Sequence, residues 1–363
     1  MDKSRITSWQ LGMLMYQLIL GSSILLMPAI TTKLSGHDMW LTPIVGSIVG
    51  FAMVWLCLRL HRYFPHATFP QMAVKLLGKV PGKIMGFIFV LFNLHVLAVG
   101  VRDYGEFVIG NFFFKTPLLM IIGSMLLLCA FAVRGGVDVL TRSGQIFIPF
   151  IFLFTVLTLV FLIPDLKPAQ ILPMFEKGIV PTLKGSTIVS GWFCQLIAMI
   201  YFLPYVKDKK NAGKWGYLTV IGITLTMFCV NIATLMLFGD STAFYNYPVF
   251  MAARYIQLAD FFEHVEAIVM MIWVLGAYVK ISVGFYITVI TTTEWIGIKD
   301  YKSSVFPLGL LILVMSIWIA PNFQAMAGFV ATSGTFYILT GFAVVPFLML
   351  AVARMRLGAL QKK

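Results

Sequence analysis

Charged residues are scarce in this 363-residue chain, in which Asp, Glu, Lys and Arg together make up only 11%. Soluble domains carry about 25% charged residues, so the low content excludes secreted modules, cytosolic enzymes and nucleic-acid readers. The 60% of hydrophobic residues and the mean hydropathy of +0.93 favour a membrane protein instead. At about 20 mostly apolar residues per membrane helix, the chain has enough apolar sequence for about ten spans.

Cysteine and catalytic motifs are also sparse. The four cysteines, Cys57, Cys129, Cys194 and Cys229, lie inside apolar runs without paired or metal-ligand spacing, which predicts neither a disulfide framework nor a metal site. The sequence contains no phosphate loop, no nucleophile elbow and no pair of catalytic carboxylates. We therefore expect no enzyme activity and no cofactor.

Long apolar runs bounded by charge, Pro or Gly divide the chain into ten predicted spans. Nineteen of the 27 Lys and Arg residues flank these spans on one side and seven on the other, while Lys280 lies inside a span. Because basic residues are enriched in cytoplasmic loops, both termini are predicted to be cytoplasmic. The net charge of +13 is then an orientation signal and not the mark of a nucleic-acid partner. The predicted spans cover residues 10–32, 39–60, 84–106, 117–133, 143–163, 187–206, 215–238, 264–292, 304–320 and 334–352.

Two predicted outer connections, residues 164–186 and 240–263, are longer than turns. The first mixes Pro and Gly with an amphipathic middle, and the second opens with YNYP before the helical pattern VFMAARYIQLADFF. Interfacial or re-entrant surface helices would explain both segments. A gate that closes over a pocket is the alternative.

The first and sixth spans carry the same polar interruption. The first has GSS at residues 21–23 with Pro28 beyond it, and the sixth has SG at residues 190–191 with Pro204 beyond it. Gly and Pro weaken a membrane helix, and hydroxyl groups satisfy the backbone groups that are freed. Interrupted helices that open both halves of a ten-span chain indicate an inverted repeat with the ligand site where the two breaks meet. Ordinary small-residue packing faces are the alternative.

The predicted fold is therefore an all-α membrane protein with ten transmembrane helices, of which helices 1 and 6 are discontinuous. We expect one transmembrane domain over residues 1–363, built as a five-plus-five inverted repeat. The first repeat covers residues from about 10 to 163 and the second from about 187 to 352.

Lys280 is the most informative single residue. It lies 14 residues from Glu266 and from Glu294, which is about 21 Å along a helix and places it near mid-bilayer. A charge there is costly and usually faces a bundle interior or a water-filled cavity, and its stem is too short to snorkel to either interface. A functional or fold-critical role is expected, as a fixed cation or as a proton carrier, with Tyr278 and Ser282 as polar neighbours.

The third span contributes Asn93 and His95, followed by Arg102, Asp103 and Glu106 towards its outer end. Arg102 and Glu106 are four residues apart and can pair across one helical turn. An interfacial cluster is the alternative and the commoner explanation of such charges. His95 lies deeper. It is either a packed, hydrogen-bonded histidine or part of a proton relay.

Four segments, LILGSSILLMPAI, ILPMFEKGIVPTLKGS, FLPYVKDKKN and WVLGAYVKISVGFY, occur in this order along the chain. Together they resemble the spore germination permease family, the B subunits of endospore nutrient germinant receptors within the amino acid, polyamine and organocation transporter superfamily. The resemblance extends over essentially the whole chain. It implies a location in the spore inner membrane and assembly with a larger membrane A subunit and a lipid-anchored C subunit.

The resemblance also implies a small germinant, usually an amino acid, bound where helices one and six unwind. A sensor that signals to its partner subunits is the leading hypothesis, and an amino-acid permease that moves the ligand across the membrane is the alternative. In this family Lys280 would lie where related sodium-coupled transporters hold a cation between helices one and eight. The implied ligand-binding residues are Gly21, Ser22, Ser23, Gly191, Trp192, Phe193, Gln195 and Ser282, with Asn93, His95 and Tyr278 as pocket walls.

Overall fold

The structure, a computed structural model, describes residues 5–256 and 265–360, and nearly all of these residues are helical. Short 3-10 and π segments join several of the helices. The α-helices are α1 (Ser8–Ser35), α2 (Thr42–Tyr63), α3 (Phe69–Leu77), α4 (Lys79–Asn111), α5 (Leu118–Gly135), α6 (Val137–Leu162), α7 (Val180–Phe193), α8 (Met199–Phe202), α9 (Ala212–Phe238), α10 (Pro248–Tyr255), α11 (Val265–Ile296), α12 (Val305–Trp318), α13 (Phe323–Phe329), α14 (Thr335–Leu339) and α15 (Val345–Leu360).

The described part of the chain contains 9 helical segments that are long and apolar enough to cross a membrane. The first segment, Ser8–Tyr63, is 56 residues long and consists of α1 and α2 joined by a 3-10 turn at Gly36–Leu41. At helical rise it would measure about 84 Å, against a hydrocarbon core of about 30 Å. This segment is therefore long enough for two crossings, while the exact number of ten stays a prediction.

The predicted break in helix 1 is wrong, because α1 runs without interruption from Ser8 to Ser35 with Pro28 inside it. Side-chain hydroxyls on α1 bond back to its own backbone: Ser23 Oγ donates to the Ile19 carbonyl at 2.9 Å, and Thr32 Oγ1 donates to the Pro28 carbonyl at 2.6 Å. Unsatisfied backbone groups cost several kcal/mol in a bilayer. Helical geometry with these extra bonds satisfies them without a break.

The sixth span does depart from α geometry. Its first part, α7, ends at Phe193, and a 3-10 segment, Cys194–Ala198, follows before the single turn of α8. The span also begins at Val180 and not near residue 187, with Pro181 in the first turn, where proline's missing N–H costs no hydrogen bond.

The two long connections contain different structures. The earlier start of α7 shortens the connection predicted at 164–186, which forms 3-10 turns at Ile163–Asp165 and Pro168–Ile171 and no amphipathic α-helix before α7. In the second connection, 240–263, α10 forms the first part of the predicted helical pattern. Residues 257–263 of that connection lie outside the described residues.

Residues before α1 are tied to the end of the sixth span. Ile6 pairs with Val206 in an isolated parallel bridge, and the Ser8 backbone N–H donates to Asp208 Oδ1 at 2.7 Å. We call the side of the molecule that carries this tie the inner side and the opposite side, where α1 ends, the outer side. The tie joins the start of the first helix to the end of the sixth span.

Candidate functional site

Lys280 stands where α1 and α11 cross at close range. A Cβ atom built on Gly21 would lie 2.6 Å from the Gly276 carbonyl oxygen, so two glycines allow the backbones to approach. Lys280 follows Gly276 by one helical turn on α11, and turns its side chain towards α1. Its Nζ donates a hydrogen bond to Ser22 Oγ. The mid-membrane cation is therefore held by a hydroxyl of the first helix.

Lys280 also lines a small cavity, which we call the central cavity, of about 60 Å³ between α1, α4, α11 and the sixth span. Its polar lining comes from Lys280, Asn93, Gln195 and Tyr201, and the rest is mainly apolar or glycine. This volume holds a few water molecules. A few convergent polar groups in an otherwise apolar cavity are typical of small-molecule sites.

Both amides in this cavity have hydrogen-bonding capacity left. Asn93 Nδ2 donates to the Phe89 carbonyl at 2.7 Å, which leaves the Asn93 amide oxygen as an acceptor. Gln195 lies in the 3-10 segment of the sixth span. The central cavity therefore combines one cation with amide groups that both accept and donate.

The other residues predicted on the first helix lie beside this cavity and not in it. Gly21 lines a separate cavity of about 50 Å³ on the far side of α1, together with Gln17 and Trp273. Ser23 is fully buried and bonds to its own helix. Of residues 21–23, Ser22 is the one that forms a hydrogen bond with Lys280 among the described residues.

Of the residues predicted on the sixth span, one lines the central cavity and the other three pack against neighbouring helices. A Cβ atom on Gly191 would lie 3.4 Å from Thr335 Cγ2, an ordinary contact with α14. Trp192 and Phe193 are buried. The Phe193 ring packs directly on Gly50 of α2, where a Cβ atom would come within 2.6 Å of the ring. Gln195 is the predicted residue of this span that reaches the central cavity.

The remaining wall residues contact other side chains. The His95 ring packs edge-on against Tyr337, with 5.2 Å between centroids. The Tyr278 ring packs against Phe147 at 5.7 Å. Ser282 is buried at 1% exposure, two residues beyond Lys280. These positions surround the site from outside the cavity lining.

Two larger cavities, which the sequence did not indicate, lie on either side of the central one. The inner cavity, of about 540 Å³, includes Thr68, Glu294 and Lys299. The outer cavity, of about 330 Å³, includes Lys33 and Asp103. The central cavity is therefore flanked by a larger cavity on each side.

Tyr201 and Asp103 each connect one of the larger cavities with the central cavity or with Lys280 beside it. Tyr201 lines both the central and the inner cavity, and its hydroxyl shares a 2.9 Å hydrogen bond with Thr291. Asp103 lines the outer cavity and interacts electrostatically with Lys280. The run of three threonines at 291–293 was the one sequence signal for the Tyr201 contact.

The predicted pairing of Arg102 with Glu106 is confirmed. Arg102 Nε donates to Glu106 Oε1 at 2.7 Å, and Arg102 Nη1 donates to the Ile317 carbonyl at 2.9 Å. Both Arg102 and its neighbour Asp103 are buried, so this group is part of the helix packing and not an exposed interfacial cluster.

The comparisons with known proteins agree with this architecture. A family model described as "Spore germination protein" matches residues 5–324. The chain belongs to the spore germination protein family. Among similar proteins of Bacillus subtilis (strain 168), "Spore germination protein KB" is 25% identical over 89% of this chain and 87% of its own length. "Spore germination protein YndE" is 22% identical over 97% of both chains.

Solved transporter structures share the fold. MHP1, a nucleobase-cation-symport-1 family transporter in a closed conformation with bromovinylhydantoin bound, superposes with a TM-score of 0.74 at 10% identity, over 96% of this chain and 78% of that one. MhsT in complex with L-phenylalanine gives a TM-score of 0.65 at 12% identity, over 97% of this chain and 99% of that one. The family member described here is thus an integral membrane protein with a transporter-like fold.

Proposed function

We propose that the chain is a germinant-sensing receptor subunit in the spore inner membrane, with both termini on the core side. Its ligand is a small nutrient, an amino acid, which binds at the central cavity. The observation that carries this proposal is the Lys280 ammonium held against Ser22 of α1 beside the central cavity. In the membrane interior such a cation offers a ligand carboxylate a strong, charge-assisted hydrogen bond.

The chemistry of the cavity suits a zwitterion. A lysine ammonium has three donors, of which Ser22 accepts one, so a carboxylate can use the others or displace the hydroxyl. The oxygen atoms of Asn93 and Gln195 can accept hydrogen bonds from the ligand ammonium. The apolar remainder of the lining suits an aliphatic side chain.

Signalling follows from the size of the cavity. A space of about 60 Å³ holds a few water molecules and no amino acid, so the ligand binds an arrangement in which α1 and the sixth span have moved apart. A ligand with unequal affinity for two arrangements shifts their populations. The larger membrane A subunit and the lipid-anchored C subunit, expected from the family resemblance, would receive this change.

An amino-acid permease is the second candidate. It is favoured by the cavities of about 540 and 330 Å³ on the two sides of the central cavity, because alternating access exposes one central site to each side in turn. The same central residues would serve both functions. The two candidates differ in whether the ligand crosses the membrane.

Uptake separates the candidates. The protein alone is reconstituted into vesicles, and uptake of radiolabelled amino acids is compared with that of a Lys280→Met variant. In parallel, spores that lack the gene are screened against single amino acids and sugars. The sensor proposal expects loss of the response to one nutrient and no saturable uptake by the reconstituted protein. Saturable uptake that Lys280→Met abolishes would contradict the sensor proposal and favour the permease.

A further inference from the structure

The outer cavity contains opposite charges in a mainly apolar surrounding. It lies between α1, α4, α13 and residues 245–246. Asp103 of α4 and Lys33 near the end of α1 are its charged lining residues among the described part of the chain. At about 330 Å³ it reaches the size range of small-molecule pockets.

Asp103 has hydrogen-bonding capacity that the fold does not use. The residue is only 8% exposed, and its Oδ1 has no hydrogen-bond partner among the described residues. Its neighbour Arg102 is occupied by Glu106 and by the Ile317 carbonyl. Burying a carboxylate without hydrogen bonds costs several kcal/mol, so this oxygen is placed to receive a donor from elsewhere.

Other polar atoms near this end of α4 lack partners as well. The Tyr247 hydroxyl and the Trp273 indole N–H are both buried without a hydrogen bond to a described residue. Both rings pack on Phe107, one turn beyond Asp103, at centroid distances of 4.8 and 4.1 Å. Buried polar groups without partners are rare. Of these three, Asp103 is the one that lines the outer cavity, whereas Trp273 lines the separate cavity beside Gly21.

We propose that the outer cavity is a second binding site, which captures a small zwitterion through its ammonium at Asp103 and its carboxylate towards Lys33. An aliphatic body would lie against the apolar side chains of α1 and α13, such as Ile30 and Met326. The identity of the ligand as an amino acid rests on the proposed function, whereas the recognition of an ammonium group rests on Asp103 alone.

Occupation of this site has a consequence for the centre. Asp103 is the carboxylate that interacts electrostatically with Lys280. An ammonium bound at Asp103 neutralises that carboxylate and weakens its attraction for Lys280.

The test uses the full chain, purified in lipid nanodiscs, with a cysteine introduced into the cavity wall by Ala327→Cys. Labelling rates are measured with a cationic and an anionic methanethiosulfonate reagent, with the chain lacking Ala327→Cys as the background. Asp103→Asn should lower the cationic-to-anionic rate ratio by about tenfold, since a nearby unit charge acts on both reagents in opposite senses. Asp103→Glu should retain the ratio, and Asp240→Asn, an exposed carboxylate on the same side, should change it by less than about twofold.

Ligand protection uses three matched probes: L-norvaline, n-butylammonium, which lacks the carboxylate, and pentanoate, which lacks the ammonium. Norvaline should slow labelling most, n-butylammonium less and pentanoate least, and Lys33→Gln should remove the advantage of norvaline over n-butylammonium. An unchanged rate ratio in Asp103→Asn, equal protection by pentanoate, or no protection by any probe would overturn the proposal. The labelling experiment does not depend on a spore response. If it contradicts the outer site, the proposal for the central cavity is still tested separately, by the germination of spores with Lys280→Met and Gln195→Glu.

Discussion

The first helix and the sixth span meet at the central cavity but present different backbones to it. In α1 the helix is continuous past Ser22, which bonds Lys280 through its side chain. In the sixth span the helix changes to a 3-10 segment one residue before Gln195. The first helix therefore contacts Lys280 through the Ser22 hydroxyl on a regular α-helix. The sixth span presents the Gln195 amide to the central cavity from a 3-10 segment.

Packing explains the difference. Gly21 is pressed against the backbone of α11, whereas a Cβ on Gly191 would make an ordinary contact with the end of one side chain, Thr335. A helix locked against another backbone cannot change its geometry without separating from it. At Gly21, α1 is therefore fixed against α11, whereas the sixth span has room for a methyl group at Gly191.

The largest expected effect is on stability, and it comes from adding one methyl group to Gly21 or, for comparison, to Gly191. Gly21→Ala would place a carbon 2.6 Å from the Gly276 carbonyl oxygen, and such overpacking costs about 1–3 kcal/mol. Gly191→Ala meets no such clash and gains helix propensity of up to about 1 kcal/mol. Thermal unfolding of the purified variants should show a lower midpoint for Gly21→Ala and an unchanged or higher one for Gly191→Ala. Equal midpoints would remove the asymmetry between the two helices.

Lys280→Met tests the side-chain contact of the first helix. Removing one of two opposite charges leaves the other, here the buried Asp103, uncompensated and lowers stability. Spores that still contain the variant protein should lose their nutrient response, because the ligand carboxylate no longer has an ammonium to bind. Ser22→Ala keeps the cation and removes its hydroxyl acceptor, and should shift the dose curve without abolishing the response. Germination and protein level are measured on the same spores. A normal response with Lys280→Met would exclude Lys280 from the site.

The sequence predicted the parts that depend on local composition. The apolar runs indicated the spans, and the distance of Lys280 from Glu266 and Glu294 placed it deep within its helix. The pairing of Arg102 with Glu106 followed from a spacing of one helical turn and is confirmed at 2.7 Å. Each of these features is decided by neighbours in the same segment.

The features that the sequence did not predict depend on distant segments. Whether Gly21 opens a helix depends on Gly276, which lies 255 residues further along the chain. Asp103 looked interfacial from its neighbours, but residues of α13 and the loop at 245–246 enclose it within a cavity. No local pattern contains such information, because it is set by which helices pack together.

Gln195→Glu tests the amide of the sixth span. The new carboxylate would share the central cavity with Lys280 and compete with a ligand carboxylate for the same ammonium. We expect the nutrient concentration for half-maximal germination to rise about tenfold, equivalent to about 1.4 kcal/mol. Gln10→Glu makes the same chemical change on the inner part of α1, away from the cavity, and serves as the control. An unchanged dose curve with normal protein level would place the Gln195 side chain outside the ligand site.

The smallest effect concerns the tie that holds the start of α1 to the end of the sixth span. Although partial burial raises the pKa of Asp208, hydrogen bonds from the Ser8 backbone and hydroxyl and from Asn211 outweigh this and lower it below its ordinary value of 3.8. A negative charge at a helix N-terminus is favourable, and loss of this acceptor in Asp208→Ala should cost about 0.5–1 kcal/mol at neutral pH.

Because the folded-state pKa of Asp208 is depressed, its contribution is fully present above the ordinary carboxyl value and is lost as the pH falls through the folded value. The difference in unfolding midpoint between the natural chain and Asp208→Ala should therefore be constant from about pH 7 to 5 and shrink below about pH 4. Asp208→Asn keeps an oxygen acceptor without the charge. At neutral pH its unfolding midpoint should lie between those of the natural chain and Asp208→Ala. A difference that persists undiminished at pH 3 would mean that the negative charge of Asp208 does not stabilise the tie.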